Sequence, residues 1–412
     1  VLTDVFLATV WTEASAAMID LARLADPAFV PTAEAAAAKA RAAINRRFLD
    51  DTRRRINFAI LKDGTGQAEE TDWPAFGIWR GVFDEGHPAV AGMLDELARA
   101  GLATDWGARM LSKESRLYEP LSYNNGASWP FLSGWAALAL YTGGRADAGW
   151  QYVDALADLT FLEARGFIPE LLSGDRLRSI DAAVPHQLFA TTGFASSLMR
   201  GMVGLQETDE GVMLAPRLPA DWPFLRVKRL RFRDGTGDVE IRRQPAGLSV
   251  AVSNLRGKPL SMGMRLALAP GAELREPGGD GWKALTGTKG GPPAVELPMA
   301  QLSAPRTTTI PVRPGIALVP LHEPLALGDE SRRLRIVDTA FAEGIYRARL
   351  QGRSGTTYRL RLDIPFQVAA IEGGTDAGRD GRFHLVDVAI PGGAAGWVET
   401  TLAVKLGKRL AQ

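Results

Sequence analysis

Apolar residues recur at three- and four-residue intervals through the first half of the chain, and at alternate positions from about residue 211 onward. The first spacing is that of a helix face turned to a core, the second that of a half-buried strand. Seven helices are predicted, over 4–25, 33–50, 73–83, 87–100, 128–142, 145–163 and 187–205. Within 128–142, Trp129, Leu132, Trp135, Ala136 and Ala139 lie on one buried face. Asp72 before Trp73-Pro74 reads as a helix start, and Gly143-Gly144 stops the fifth helix. The links at 51–71, 101–127 and 164–186 are long and rich in Trp, Tyr, Asn and carboxylates, a pattern of functional loops. Beyond 211, LRVKRLRFRDGTGDVEIRRQPAGLSVAVSNL alternates strands with Gly turns, 277–293 reads as a long Gly/Pro-rich sandwich loop, and five further strand-like runs follow Pro324. The expected organisation is multidomain, α then β. An α domain covers 1–206, a β-sandwich 207–323, and a second β-sandwich-like module 324–412.

Composition narrows the partners. A length of 412 residues calls for two or three cores. A net charge of +1 gives no pull toward nucleic acid or an anionic membrane surface. There is no uninterrupted apolar run of about 18 residues, so no membrane-spanning helix is expected. Zero cysteines remove disulfides and thiolate sites, and the four scattered histidines make a metal centre unexpected. The chain opens on an apolar helix without a charged leader or cleavage pattern, and reads as the C-terminal part of a longer protein. Any export signal would then precede Val1, which leaves cytoplasm, periplasm and exterior open. The oligomeric state is unknown at this point.

Three blocks carry the chemistry: YEPLSYNNGASWP (118–130), GFIPELLSGDR (166–176) and PHQLFATTGFASSLMRGMVGL (185–205). Glu170 stands among Ile168, Pro169, Leu171 and Leu172. Partial desolvation raises a carboxylate's pKa unless donors surround it, and such a group serves as a general base on water. The plain alternative is a structural glutamate paired with Arg176 or Arg178. Tyr123, Asn124 and Asn125 suit sugar hydroxyls, and Trp129 suits the apolar face of a pyranose. An Asx-turn, a cap and a core tryptophan account for them equally. Asp72 and Trp73 form a similar junction, where Asp72 is either a cap or a ligand. Trp11 and Glu13 face a cavity or solvent, and His186 and Gln187 are donors or a cap. Walker, G-x-G-x-x-G, G-x-S-x-G and H-E-x-x-H motifs are absent, which removes nucleotide, serine-hydrolase and zincin readings.

At these residues the chain resembles the bacterial glycogen-debranching-like glycoside hydrolases of the amylo-α-1,6-glucosidase type, and their trehalase and α-glucosidase relatives. Tyr123, Asn125, Gly126, Trp129 and Pro130 match one family block. Pro169, Glu170, Leu171, Gly174, Gln187 and Gly193 match another. The helix at 7–24 is similar to a Tyr-Glu-Ala-Trp helix that places Trp11 and Glu13 near the cavity. Asn124 stands in place of the usual histidine, Phe131-Leu132 in place of a polar pair, and Phe189 in place of a tryptophan. The resemblance covers about 1–206 and implies a partial (α/α)6 toroid or barrel, the predicted helices being its sixth to twelfth. It further implies Glu170 as the general base, and an aspartate acid upstream of Val1.

The expectation is therefore an inverting glycoside hydrolase acting on an α-glucoside or related oligosaccharide or polysaccharide, with no cofactor. Glu170 would be catalytic; Tyr123, Asn124, Asn125, Trp129, Trp73, Asp72, Trp11, Glu13 and Gln187 would bind substrate. The alternatives are a polysaccharide lyase, with Tyr123 and Asn124 or Asn125 as base and neutraliser, and a non-catalytic carbohydrate-binding protein.

Overall fold

In the computed structural model of the chain, residues 2–244, 247–285, 293–319, 322–393 and 396–410 are described. Among them are seven α-helices: α1 (Val5–Ala25), α2 (Val30–Phe48), α3 (Pro74–Trp79), α4 (Pro88–Ala98), α5 (Pro130–Thr142), α6 (Ala146–Leu159) and α7 (Leu188–Ser196). The predicted positions hold to within a few residues at most ends. Proline opens α3, α4 and α5, where its fixed φ and missing N–H cost nothing. Asp4 caps α1 by accepting from the Leu7 N–H at 2.7 Å. The third helix stops at Trp79 rather than running to 83, because Gly81 turns the chain out at φ 66°. The seventh ends in a wider turn over Ser197–Met202.

The helices form two rows. Helices α1, α3, α5 and α7 pack successively against one another, while α2 lies on α1 and α6 on α5. Helix α5 is buried on almost every side, which explains an apolar sequence without a polar face. Its crossing with α7 depends on two glycines: a Cβ on Gly134 would stand 2.5 Å from the Gly193 carbonyl oxygen, and one on Gly193 2.8 Å from the Phe131 Cα.

The chain divides into two compact units, Val1–Ser197 with Glu323–Val337, and Leu198–His322 with Asp338–Gln412. The segment 323–337 is tied into the helical unit by Asp105, which is 1% exposed. Its carboxylate accepts from the Arg332 N–H at 2.7 Å and the Arg333 N–H at 3.0 Å, and pairs with the Arg335 guanidinium. Arg333 in turn reaches Asp158 at 2.8 Å and Asp154 at 3.4 Å on α6. These residues lie at the start of the predicted 324–412 module, Arg335 opening the strand Arg335–Ala342, where alternation gives no reason to place them with helices.

The second unit is β-sandwich-like. One six-stranded sheet runs in the order 278–279, 282–285, 294–302, 260–267, 212–214, 205–207, with 212–214 parallel to 260–267 and the other pairs antiparallel. Phe224–Phe232, Gly235–Gln244, Gly247–Gly257 and Arg306–Ile310 form an antiparallel four-stranded sheet. The later strands form two further layers. Ala317–Val319, Thr357–Asp363, Phe383–Ala389 and Thr375–Asp380 make one, and Ile345–Arg353, Trp397–Arg409 and Phe366–Glu372 run side by side in another. Alternation in 345–353 buries Tyr346, Ala348 and Leu350. The predicted loop over 277–293 holds the short strands 278–279 and 282–285, and its part 286–292 lies outside the described residues.

Helix α1 is long and apolar enough to cross a membrane by length and composition, with a mean hydropathy of 1.3, although no uninterrupted apolar run announces it. Leu7, Trp11, Met18 and Leu21 line one exposed stripe of it, and its other face packs on α2 and α3.

Candidate functional site

The three sequence blocks meet through backbone pairing. Ser128 and Leu172 exchange two hydrogen bonds, at 2.8 and 3.0 Å, which lays the 118–130 block beside the 166–176 block. The loop ahead of α7 then folds back on itself. The Glu170 N–H donates to the Val184 carbonyl at 3.0 Å, and the Gln187 N–H to the Ile168 carbonyl at 3.1 Å. Glycine permits the close approach, since a Cβ on Gly174 would lie 2.2 Å from the Gly126 carbonyl oxygen.

Glu170 sits at this junction, 8% exposed. Its Oε1 accepts from the Tyr123 hydroxyl at 2.5 Å, and its Oε2 accepts from the Val184 N–H at 3.1 Å. Each oxygen thus holds one donor and retains lone-pair capacity for another. Donation to Glu170 is the first cause that pushes the Tyr123 phenol above its ordinary pKa, with desolvation and the glutamate's charge adding to it. The arginine partners considered from sequence do not take Glu170: Arg176 pairs with Glu330 at 2.5 Å.

Tyr123 in turn rests on Trp129, ring centroids 5.0 Å apart edge to face, and its carbonyl accepts from the Trp129 indole N–H at 3.1 Å. The rings continue away from Glu170. Trp129 meets Phe131 at 5.5 Å, Phe131 meets Trp135 at 5.0 Å, Trp135 meets Phe6 at 5.5 Å, and Phe6 meets Trp73 at 5.0 Å. These side chains come from α1, the start of α3 and α5, three helices of one row. Trp73, Phe131 and Trp135 are only half-buried, and they rest on a core of Met110, Leu132, Leu171 and Ile180. A carboxylate held at the end of a half-exposed aromatic wall suits a ligand with hydroxyls on its edge and C–H groups on its faces.

Of the other residues singled out from sequence, Asn124 and Asn125 are exposed in the turn beside Tyr123, with the Asn125 carbonyl accepting from the Glu119 N–H at 2.9 Å. Gln187 precedes α7 without capping it by its side chain, and its Oε1 is buried with no hydrogen-bond partner. His186 is exposed, its ring centre 4.1 Å from that of Phe167. Trp11 is 65% exposed on α1. Glu13 accepts from Arg80 Nε at 2.5 Å and lines a cleft of about 340 Å³ between α1 and α2 with Thr12, Ala16, Glu34 and Arg41. Asp72 makes no side-chain cap. It is 0% exposed, neither oxygen is hydrogen-bonded to another residue, and burial pushes its pKa well above the ordinary 3.8.

Sequence reasoning passes over Arg109, 4% exposed beneath the first block. It donates to the carbonyls of Gly174 at 2.8 Å and Ala100 at 2.7 Å, and to the Tyr118 hydroxyl at 3.3 Å. Tyr118 in turn donates to Asp175 Oδ1 at 2.6 Å. This network fixes the loop that carries Tyr123 to the loop that carries Glu170. The one sequence signal is an arginine in a stretch otherwise apolar and small.

No family model matches the chain, and no curated protein is similar to it at a significant level. Solved structures are. A protein described as "Sialidase" is 11% identical, with a TM-score of 0.53 over 60% of this chain and 25% of its own. The GH63 mannosylglycerate hydrolase from Thermus thermophilus, in complex with Tris, is 19% identical over 47% of this chain and 44% of its own, TM-score 0.38. Neutral trehalase Nth1 from Saccharomyces cerevisiae is 13% identical over 47% and 37%, TM-score 0.38. All three are glycoside hydrolases. The first likeness shows a shared fold, and this chain spans a quarter of the sialidase chain and less than half of the other two.

Proposed function

We propose that this chain carries the general-base side of an inverting glycoside hydrolase acting on an α-glucoside or related oligosaccharide, with Glu170 as the base. One observation carries the reading: a buried glutamate has each oxygen fixed by one donor, Tyr123 and the Val184 N–H, at the end of an aromatic wall. In this mechanism Glu170 takes a proton from water as that water attacks the anomeric carbon from the face opposite the leaving group. A second carboxyl group, roughly 6.5–9.5 Å away, protonates the departing oxygen. By the family resemblance that acid would lie N-terminal to Val1, and the two helix rows would belong to an (α/α)6 toroid. Trp129 is buried and backs Tyr123, so the half-buried Phe131 offers the face for the sugar's C–H groups, while Asn124 and Asn125 offer amides for its hydroxyls.

The lyase alternative asks Tyr123 to remove a proton. A phenol that donates to a glutamate at 2.5 Å, and whose pKa is raised by it, is a poor base. The test is Glu170→Gln in the protein that carries this chain, assayed on a panel of α-glucosides with ligand binding measured alongside. Loss of hydrolysis with ligand retained is expected. Turnover kept in that variant, or an unsaturated UV-absorbing product from the unaltered protein, overturns the assignment.

A further inference from the structure

A net charge of +1 for the chain conceals a concentration of cations on one strand of the second unit. Among the described residues, Phe224–Phe232 is an edge of its four-stranded sheet, paired on one side only with Gly235–Gln244. Its inward residues are Leu225, Val227, Leu230 and Phe232, and its exposed ones include Arg226, Lys228, Arg229 and Arg231. Strict alternation would turn residue 229 inward. A bulge between Val227 and Leu230 prevents this, with Arg229 in the left-handed region at φ 55°. Asp238 on the neighbouring strand holds the bulge: its Oδ1 accepts from the Arg229 N–H at 2.8 Å and its Oδ2 from the Asn254 amide at 2.9 Å. The fold thus sustains a backbone conformation that non-glycine residues rarely adopt, and it places two consecutive cations outward.

Not all the charge on the strand is available. Arg226 pairs with Glu240, which also takes Arg242 at 2.8 Å. Asp238 faces Lys228 and Arg226 as well as the bulge. Arg233, in the turn, donates to the Asp209 carbonyl at 3.2 Å. Arg231 gives its Nε to the Arg233 carbonyl at 3.1 Å, a neutral acceptor that leaves its charge uncompensated. What remains is Arg229 and Arg231 along the edge, with Lys228 only partly offset by Asp238. Arg256 adds to them two strands across, since Arg231 pairs with Thr236 and Thr236 with Arg256. Residues two apart on a strand are spaced by about 7 Å and neighbouring strands by about 5 Å, so these cations form a line with one branch. At the far end Phe224 is 42% exposed, with the Arg242 guanidinium 4.7 Å from its ring centre.

We propose that this edge docks an acidic polysaccharide, one extended chain bearing a carboxylate or sulfate on its successive sugars. A line of cations, with the part-exposed Phe224 ring under Arg242 beyond it, matches a single chain that is negative along its length. The choice of a glycan over other polyanions rests on the glycosidase reading of the helical unit. Lysine and arginine on an edge strand also discourage pairing between copies, and the experiment separates that role.

The test is affinity electrophoresis of the whole chain through gels containing polygalacturonate, with dextran as the neutral control and duplex DNA as the rival polyanion. Retardation by polygalacturonate that fades as salt rises is expected, with none by dextran. The variant K228Q/R229N/R231Q, in which asparagine tolerates the left-handed position, should weaken binding about tenfold or more. R256Q, on a separate strand, should weaken it about threefold even if the triple variant does not fold. Retardation by DNA equal to that by polygalacturonate overturns the proposal. So does unchanged binding in R256Q and in the triple variant, with or without aggregation. Binding is read without turnover, so failure of hydrolysis counts only against the Glu170 assignment.

Discussion

The loop ahead of α7 and the loop ahead of α3 each carry a carboxylate into the helical unit, and they treat it in opposite ways. Glu170 meets a phenol and a backbone N–H, one on each oxygen. Asp72 meets neither, and two residues before it Glu70 shares the Arg55 guanidinium with Glu96, at 2.6 Å each. Burial alone therefore does not determine which donors a carboxylate meets. A buried acid without donors is driven to keep its proton, as the raised pKa of Asp72 shows. On the Asp72 side desolvation wins even beside a cation: it lifts Glu96 from 4.5 to about 7, and the attraction of Arg55 only partly offsets it.

Four experiments sharpen or break this contrast. The largest effect is expected from Glu170→Gln, a fall in turnover of about 10²–10⁴-fold at nearly unchanged thermal stability. A comparable loss of turnover from Asp72→Asn would erase the distinction. Second, Glu96 has its pKa raised on folding, so its contribution is complete below pH 4.5 and lost as pH rises through about 7. Urea midpoints of the unaltered protein should fall relative to Glu96→Gln over that window, by roughly 3 kcal/mol in free energy. Parallel curves would show that Glu96 does not titrate there.

Third, Asp72→Asn should cost about 1–3 kcal/mol near pH 4, because an amide brings donors to a site without acceptors for them. That cost should shrink as pH rises above 3.8, where the unfolded aspartate ionises and the folded one does not. A cost constant from pH 4 to 9 would mean Asp72 is charged in the folded protein. The smallest change is Tyr123→Phe, which removes one of the two donors and should slow turnover about fivefold, near 1 kcal/mol. An unaffected rate would leave the Val184 N–H as the donor that matters.

The helices are legible in the sequence because their apolar spacing repeats over several turns, and proline and glycine punctuate the ends. The strands 366–372 and 375–380 are not, since the short runs around Gly373-Gly374 and Gly378 carry too little alternation. At the site, Glu170 and Tyr123 can each be picked out for residue type. Their contact cannot, since it spans 47 residues and depends on the Ser128–Leu172 bridge. Phe6 draws no notice in the sequence, and Phe131 only as a departure from a family block. An aromatic at helical spacing looks the same whether it fills a core or lines a wall. Asp72 reads as either a cap or a ligand because aspartate before Trp-Pro has the sequence of a cap, and nothing local reports that its carboxylate turns inward.

The return of residues 323–337 to Asp105 also has a consequence in time. Synthesis runs from the N-terminus, so the helices through Ser197 are complete before any of their last neighbours exist. The ribosome must first produce all of 198–322, and at about 5–20 residues per second the wait for Arg335 is roughly 7–30 s. Through that interval the Asp105 carboxylate lacks the two N–H groups and the guanidinium that later enclose it. A chain that ends anywhere in 198–322 lacks these partners of Asp105 altogether.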